Sequence, residues 1–307
     1  MGSVVISVDA ELGWGFHDLA KPPERRVESG RPGWRALLDL FDEFDVPATW
    51  AYVGHLLLED CDGQHGDYPS GWFTRERGEW SDRPDLRFGR ELVKAVRAAD
   101  ADHELGCHTF SHVEFGDAST ELARAEVEAS VALANAEDID LASFVFPRNN
   151  VGHLDVLAEW GFTCYRGETP VARTDSRLRR LLQATVGDWT PPLVEPRLDS
   201  YGMVNVPASL YLFSFEGRAR SLVEPVFGDP VVRQACRGID AAADGDGVLH
   251  LWLHPNNLVD DRDRDRMRAI LEHVERRGVR VETMRGVAER VLDGLAASAV
   301  PVDRRDG

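Results

Sequence analysis

The chain has 307 residues, 43% of them hydrophobic, enough to bury a large core without help from disulfides or structural metals. Its 53 acidic residues outnumber 35 basic ones, for a formal net charge of −18, and every basic residue except Lys21 and Lys94 is arginine. Acids spread this widely exclude the basic footprint that nucleic acids or anionic membranes require. They read either as an ordinary solvated surface or, more sharply, as adaptation to high salt, where self-repulsion is screened.

The four cysteines, 61, 107, 164 and 236, contain no C-x-x-C pair, so they are neither a zinc ribbon nor a disulfide framework. No basic segment followed by an apolar leader opens the sequence, and no apolar run reaches membrane-spanning length. A soluble, reduced, cytoplasmic protein is the expectation, with no membrane insertion.

In chain order, "VVISVD" is a first strand, "GWRALLDLFDEF" has apolar residues at helical spacing, and "VPATWAYVG" is a second strand. "GRELVKAVRAAD" is a helix and "HELGCHTF" a third strand. "STELARAEVEASVALANAE" is a long helix, with Ser119 or Thr120 as its N-cap. "ASFVFPR" is a fourth strand, "HLDVLAEWG" a helix stopped by Gly161, and "FTCYRG" a fifth strand. Residues 167–220 are less regular, with a strand at "YGMVNVPAS". Then follow "GVLHLWLHP", the helix "DRDRMRAILEHVERRG", a strand "VRVETM" and a terminal helix.

Repeated βα units imply a mainly parallel sheet. About seven such units predict an α/β fold, a distorted (β/α)7-8 barrel forming one domain over residues 1–307. Two long connections, residues 13–33 and 56–88, leave the C-terminal ends of strands, where barrel active sites lie. The second contains Trp72, Phe73 and Trp80.

Ionisable residues fall at the ends of four predicted strands: Asp9 and Glu11; His108 and His112; Arg148 with Asn149; and His254. In a parallel barrel these ends meet on one face. Two histidines four apart share a side of a helical turn, so both imidazoles can reach one divalent ion. A carboxylate from a neighbouring strand would complete a set of two nitrogens and one oxygen, with positions open for water and substrate. His250 reads as structural, His153 as a cap, and Cys107 as packed into the sheet.

These residues carry a resemblance. "SVDAE", "FDEFDVPATWAYVG", "ELGCHTFSH", "FVFPR" and "LWLHP" are similar, in that order, to motifs of the polysaccharide deacetylase (NodB-homology) family of carbohydrate esterases. The resemblance implies a NodB-type distorted barrel and a metal-dependent hydrolase that removes an acyl group, acetyl above all, from an N-acetylated sugar, oligosaccharide or glycan precursor. Carried over, His108 and His112 would be metal ligands, Asp9 the general base, Arg148 the cation orienting that base, and His254 the general acid. The family often has a second aspartate after the base as a ligand; here Ala10 stands there. In the register two residues after the base, the ligand position lands on Glu11.

The implied cofactor is a divalent ion, zinc first, with cobalt or iron as alternatives. Backbone N–H groups near Phe110 are expected to hold the oxyanion. Substrate contacts are expected from Trp14, Trp72, Trp189 and Asn149. The partner is a carbohydrate or a small amide, and a homo-oligomer is left open. Two other readings compete: an allantoinase-like small-amide hydrolase on the same barrel, and a glycan-binding descendant that has lost catalysis with its metal.

Overall fold

The computed structural model describes residues 2–63, 65, 78–169, 189–214, 220, 224–225 and 228–299. At its centre lies β1 (Ser3–Ala10), buried along its whole length. Neighbours cover both of its faces, so apolar side chains occupy both pleat phases instead of alternating. β1 pairs in parallel with β2 (Thr49–Tyr52) and β9 (Val248–Leu253), and β10 (Arg280–Glu282) lies beside residues Ser3–Val5. Beyond β2 come β3 (Glu104–Cys107), β4 (Ser143–Val145), β5 (Cys164–Arg166), β7 (Val204–Asn205) and β6 (Arg197–Leu198); β8 (Leu210–Tyr211) lies outside β9.

All these pairings are parallel except β6 with β7. β6 and β8 are the two ends of this order, and the curled sheet with its helices forms the distorted barrel expected from the sequence. Its parallel strands deliver their C-terminal ends to one rim, with the antiparallel β6 the exception.

The helices follow from patterning and caps. α1 (Glu24–Glu43) starts well before the predicted Gly33 and runs through Pro32, so it takes up much of the expected 13–33 loop. An interior proline costs about 3 kcal/mol. Burial of Trp34, Leu37, Leu38 and Phe41, at roughly 1.5–3 kcal/mol each, outweighs that. The helix also seats closely on the turn after β9: a Cβ at Gly33 would meet the Pro255 carbonyl oxygen at 2.0 Å, and Ser29 Oγ donates to the Asn256 carbonyl.

α2 (Pro84–Arg87) and α3 (Arg90–Ala98) precede β3. α4 (Thr120–Ala136) is capped by Ser119, as predicted, and α5 (Leu154–Glu159) precedes β5. α6 (Pro230–Asp244) is capped by Asp229. α7 (Asp261–Arg277) is capped by Asp260 and stopped by the left-handed Gly278, and α8 (Met284–Ala299) ends the described chain. No helix among the described residues is long and apolar enough to cross a membrane.

Candidate active site

Strand ends gather the polar side chains. Asp9 lies in the last turn of the pleat of β1 and Glu11 just beyond it; His108 follows β3 directly, Arg166 closes β5, and His254 follows β9. Exposure is 3% for Asp9, 4% for Glu11 and His112, and nil for His108 and Arg166, so these charges interact out of water.

Glu11, His108 and His112 each present a donor atom, and the three atoms lie within 4.8 Å of one another. Glu11 Oε2 is 3.1 Å from His112 Nε2 and 3.4 Å from His108 Nε2. His108 Nδ1 is 2.8 Å from the Val145 carbonyl oxygen and must donate to it. That fixes the tautomer, so the lone pair on Nε2 faces Glu11, with no hydrogen-bond partner for that nitrogen among the described residues. A buried imidazole with a free lone pair, beside a second imidazole and a carboxylate, fits a divalent ion.

Burial by itself would push the Glu11 carboxyl up, but His254, His108 and His112 outweigh it and hold the group well below its usual range. Gly15 makes the room: a Cβ there would lie 1.9 Å from Glu11 Oε1.

The histidine pair is not on a helical turn, as its spacing predicted. Residues 108–112 form a bent segment in which Thr109 and His112 both have φ of 63°. A β-branched threonine resists that left-handed conformation, so its surroundings must impose it. They do so through Glu126, a fully buried carboxylate on α4. Its Oε2 accepts from the Phe110 and Ser111 N–H groups, both at 2.8 Å, and Ser111 Oγ donates to Oε1. The Phe110 N–H is therefore committed to Glu126 and does not line an oxyanion pocket. The sequence reading passed over Glu126, though it sits on the apolar stripe of Ala123, Val127, Ser130 and Ala134, where a lone acid is conspicuous.

Asp9 is clamped by Arg166, not by Arg148. Arg166 Nη1 and Nη2 donate to Asp9 Oδ1 and Oδ2 at 2.5 and 2.8 Å, a bidentate pair of the strong kind. Burial raises the Asp9 carboxyl, but the Arg166 charge and hydrogen bonds prevail and hold it below its ordinary value. The guanidinium also donates to Asn149 Oδ1 and to Ser7 Oγ and lies 4.5 Å from the centre of the Trp252 ring. Ser7 Oγ in turn meets His250 Nε2 at 2.8 Å, while His250 Nδ1 meets the Val206 carbonyl at 3.1 Å. Nδ1 must donate to that carbonyl, so Nε2 accepts from Ser7, and Ser7 accepts from Arg166. His250 is structural, as read.

Arg148 lies at the rim, 38% exposed along its side chain, paired with Asp18 and Glu114. Arg148 and Asn149 both have left-handed φ values, 52° and 55°. This kink after Pro147 turns the expected cation outward.

His254 faces both carboxylates, with Nε2 3.7 Å from Asp9 Oδ2 and 3.6 Å from Glu11 Oε1. Its backbone N–H is held by Asn257 Oδ1 at 2.8 Å. Of the expected substrate contacts, Asn149 serves Arg166. Trp14 is buried at 2% exposure, with its indole N–H on the Arg87 carbonyl, so it builds the wall rather than offering a sugar platform. Trp189 is half-buried against the main core. Trp72 lies outside the described residues. His153 Nε2 donates to the Ala118 carbonyl at 2.8 Å as the residue leads into α5, and Cys107 is buried in the sheet.

The family model for polysaccharide deacetylases matches residues 24–164. Over that segment the chain is similar to the polysaccharide deacetylase family. The segment contains His108, His112 and Glu126, and stops short of Asp9 and Glu11 on one side and of Arg166 and His254 on the other.

Solved structures extend the likeness over the chain. One is described as a "putative polysaccharide deacetylase from Mycobacterium smegmatis", 17% identical, TM-score 0.59, covering 100% of this chain and 96% of that one. Puue allantoinase is 14% identical, TM-score 0.58, covering 95% of this chain and 90% of the other. A "probable polysaccharide deacetylase from Pseudomonas aeruginosa PAO1" gives the same 14% identity, 0.58 score and coverage. At these identities the likeness establishes the barrel fold. None of the curated proteins compared matches the chain.

Proposed function

We propose that the chain is a metal-dependent deacetylase, cleaving the C–N bond of an N-acylated sugar. The observation that carries this reading is the donor set of Glu11, His108 and His112 directly beside an arginine-clamped Asp9, with His254 facing both carboxylates. A divalent ion held by the three donors would acidify water and polarise the acyl carbonyl.

The chain's own residues handle the protons. Asp9, ionised because Arg166 faces it, accepts the proton of the attacking water. A lowered pKa makes it a weak base, which matters little once the water is acidified. His254 donates to the departing nitrogen as the C–N bond breaks, so the products are a carboxylic acid and a free amine. Arg166, fixed by Asn149, Ser7 and Trp252, keeps the carboxylate plane constant through the cycle.

The ion is assigned as zinc from its mixed imidazole and carboxylate donors, with cobalt or iron as alternatives. The test is release of acetate and free amine from N-acetylglucosamine oligomers by zinc-loaded protein, and its loss on His108→Ala. An allantoinase shares the fold, so small ureides form the second arm. Turnover of ureides alone moves the substrate to the small-amide class, and turnover of neither set by metal-loaded protein overturns the reading. The acidic, arginine-rich surface is read as salt adaptation, for which a melting temperature that rises with molar potassium chloride is the check.

A further inference from the structure

The stretch that runs from His55 to His65 brings three potential metal-ligating side chains together. His55, Cys61 and His65 each offer a donor atom, and these atoms lie within 4.8 Å of one another. None of them belongs to the set around Glu11.

His55 is fully buried in the 3-10 turn Gly54–Leu57, and Trp14 and Phe110 hold its ring between them at centroid distances of 4.2 and 4.3 Å. Cys61 Sγ lies 2.7 Å from His65 Nε2. The Gly63 backbone N–H donates to Cys61 Sγ at 3.3 Å. Gly63 makes that reach possible with a left-handed φ of 70°. The thiolate is the form of cysteine that binds metals. Leu58, Asp60, Cys61, Asp62 and His65 line a cavity of about 540 Å3, which gives a cation an entry path past two carboxylates.

We propose that His55, Cys61 and His65 form a second site for a zinc-class divalent ion, fastening the loop after β2 to the wall beside the candidate active site. One thiolate with two imidazoles selects zinc over the hard cations, which take oxygen donors. Binding forms the sulfur–metal bond as the thiol proton passes to solvent, with no change in oxidation state. Zinc bonds of about 2.3 Å to sulfur and 2.0 Å to nitrogen put tetrahedral donors roughly 3.5 Å apart, so His65, half-buried on the loop, shifts outward on binding.

The test is zinc stoichiometry in the full-length protein with cobalt as a spectroscopic probe, each variant checked for native circular dichroism. Wild type should carry two zinc ions, and Cys61→Ser and His108→Ala one each. Cobalt-loaded wild type should show a thiolate-to-cobalt charge-transfer band in the near ultraviolet, kept in His108→Ala and lost in Cys61→Ser. A Cys61→Ser protein that retains two zinc ions, or cobalt-loaded wild type with no thiolate band, overturns the proposal. Because His108→Ala removes only the first site, failure here leaves the deacetylase reading intact, and failure of that reading leaves this one intact.

Discussion

Arg166 and Asp9 meet face to face across the interior of the curled sheet, joined by two hydrogen bonds of 2.5 and 2.8 Å although β4, β3 and β2 separate their strands in the sheet order. Both are buried, so each is the other's main compensation for lost solvent. Removing one partner strands a charge.

Arg166→Met should therefore destabilise the fold by about 3–5 kcal/mol, read from urea denaturation. In whatever protein stays folded, burial at Asp9 loses its chief opposing charge, leaving only His254 and His108 against it, so the carboxyl rises. The acid limb of the pH–rate profile should then move to higher pH. Arg148→Met, which breaks a rim pair, should cost only ~0–1 kcal/mol and leave that limb in place. If Arg148→Met moved the limb and Arg166→Met did not, the assignment of the clamp would be reversed.

Gly15→Ala places a methyl 1.9 Å from Glu11 Oε1, so the carboxylate must move. Displacing an oriented ligand should weaken zinc binding roughly 10–100-fold, the range seen when ligand orientation is disturbed. Competition with a chromogenic chelator measures it. Unchanged affinity would show that Glu11 is not a ligand.

Glu126→Ala removes the acceptor of two buried N–H groups and a hydroxyl, at about 1–3 kcal/mol for each group left unsatisfied. With Thr109 and His112 no longer held in left-handed conformations, zinc affinity should fall along with the melting temperature. Glu126→Gln keeps one oxygen acceptor and should restore part of both.

His250 gives a pH signature. Burial, with Arg166 nearby, lowers its pKa from 6.5 to about 3. Between those values the unfolded chain binds the proton and the native chain does not, so stability is greatest above pH 6.5 and falls as pH drops. One such group contributes up to about 1.4 kcal/mol per pH unit. Asp9 and Glu11, both depressed, add losses of the same sign at lower pH. His250→Gln should flatten the slope of urea stability between about pH 6 and pH 4; an unaltered slope would assign it to the carboxylates.

Much of this was legible in the sequence because parallel-strand physics is legible. A strand covered on both faces reads as an unbroken apolar run, so the first polar residues after it mark the rim, as with Asp9, Glu11, His108 and His254. Arg166 obeyed the same rule at the end of "FTCYRG" but was passed over for Arg148, which stands nearer a motif. What decides between them is the backbone kink at Arg148 and Asn149, a left-handed pair that residue types alone do not announce. Glu126 was hidden differently: its work is done by one carboxylate on main-chain groups sixteen and fifteen residues away in sequence. The helical spacing of His108 and His112 misled because a four-residue separation can also be bridged by two left-handed residues.

The span between strands in the Arg166–Asp9 pair has a temporal meaning. Glu11, His108 and His112 all precede β4 in the chain, whereas the cation that steadies Asp9 comes from β5 and the histidine facing it from beyond β9. During synthesis the candidate ion-holding half of the site is written long before the candidate proton-handling half. A nascent chain can therefore own the proposed ligands before it owns the proposed acid and base.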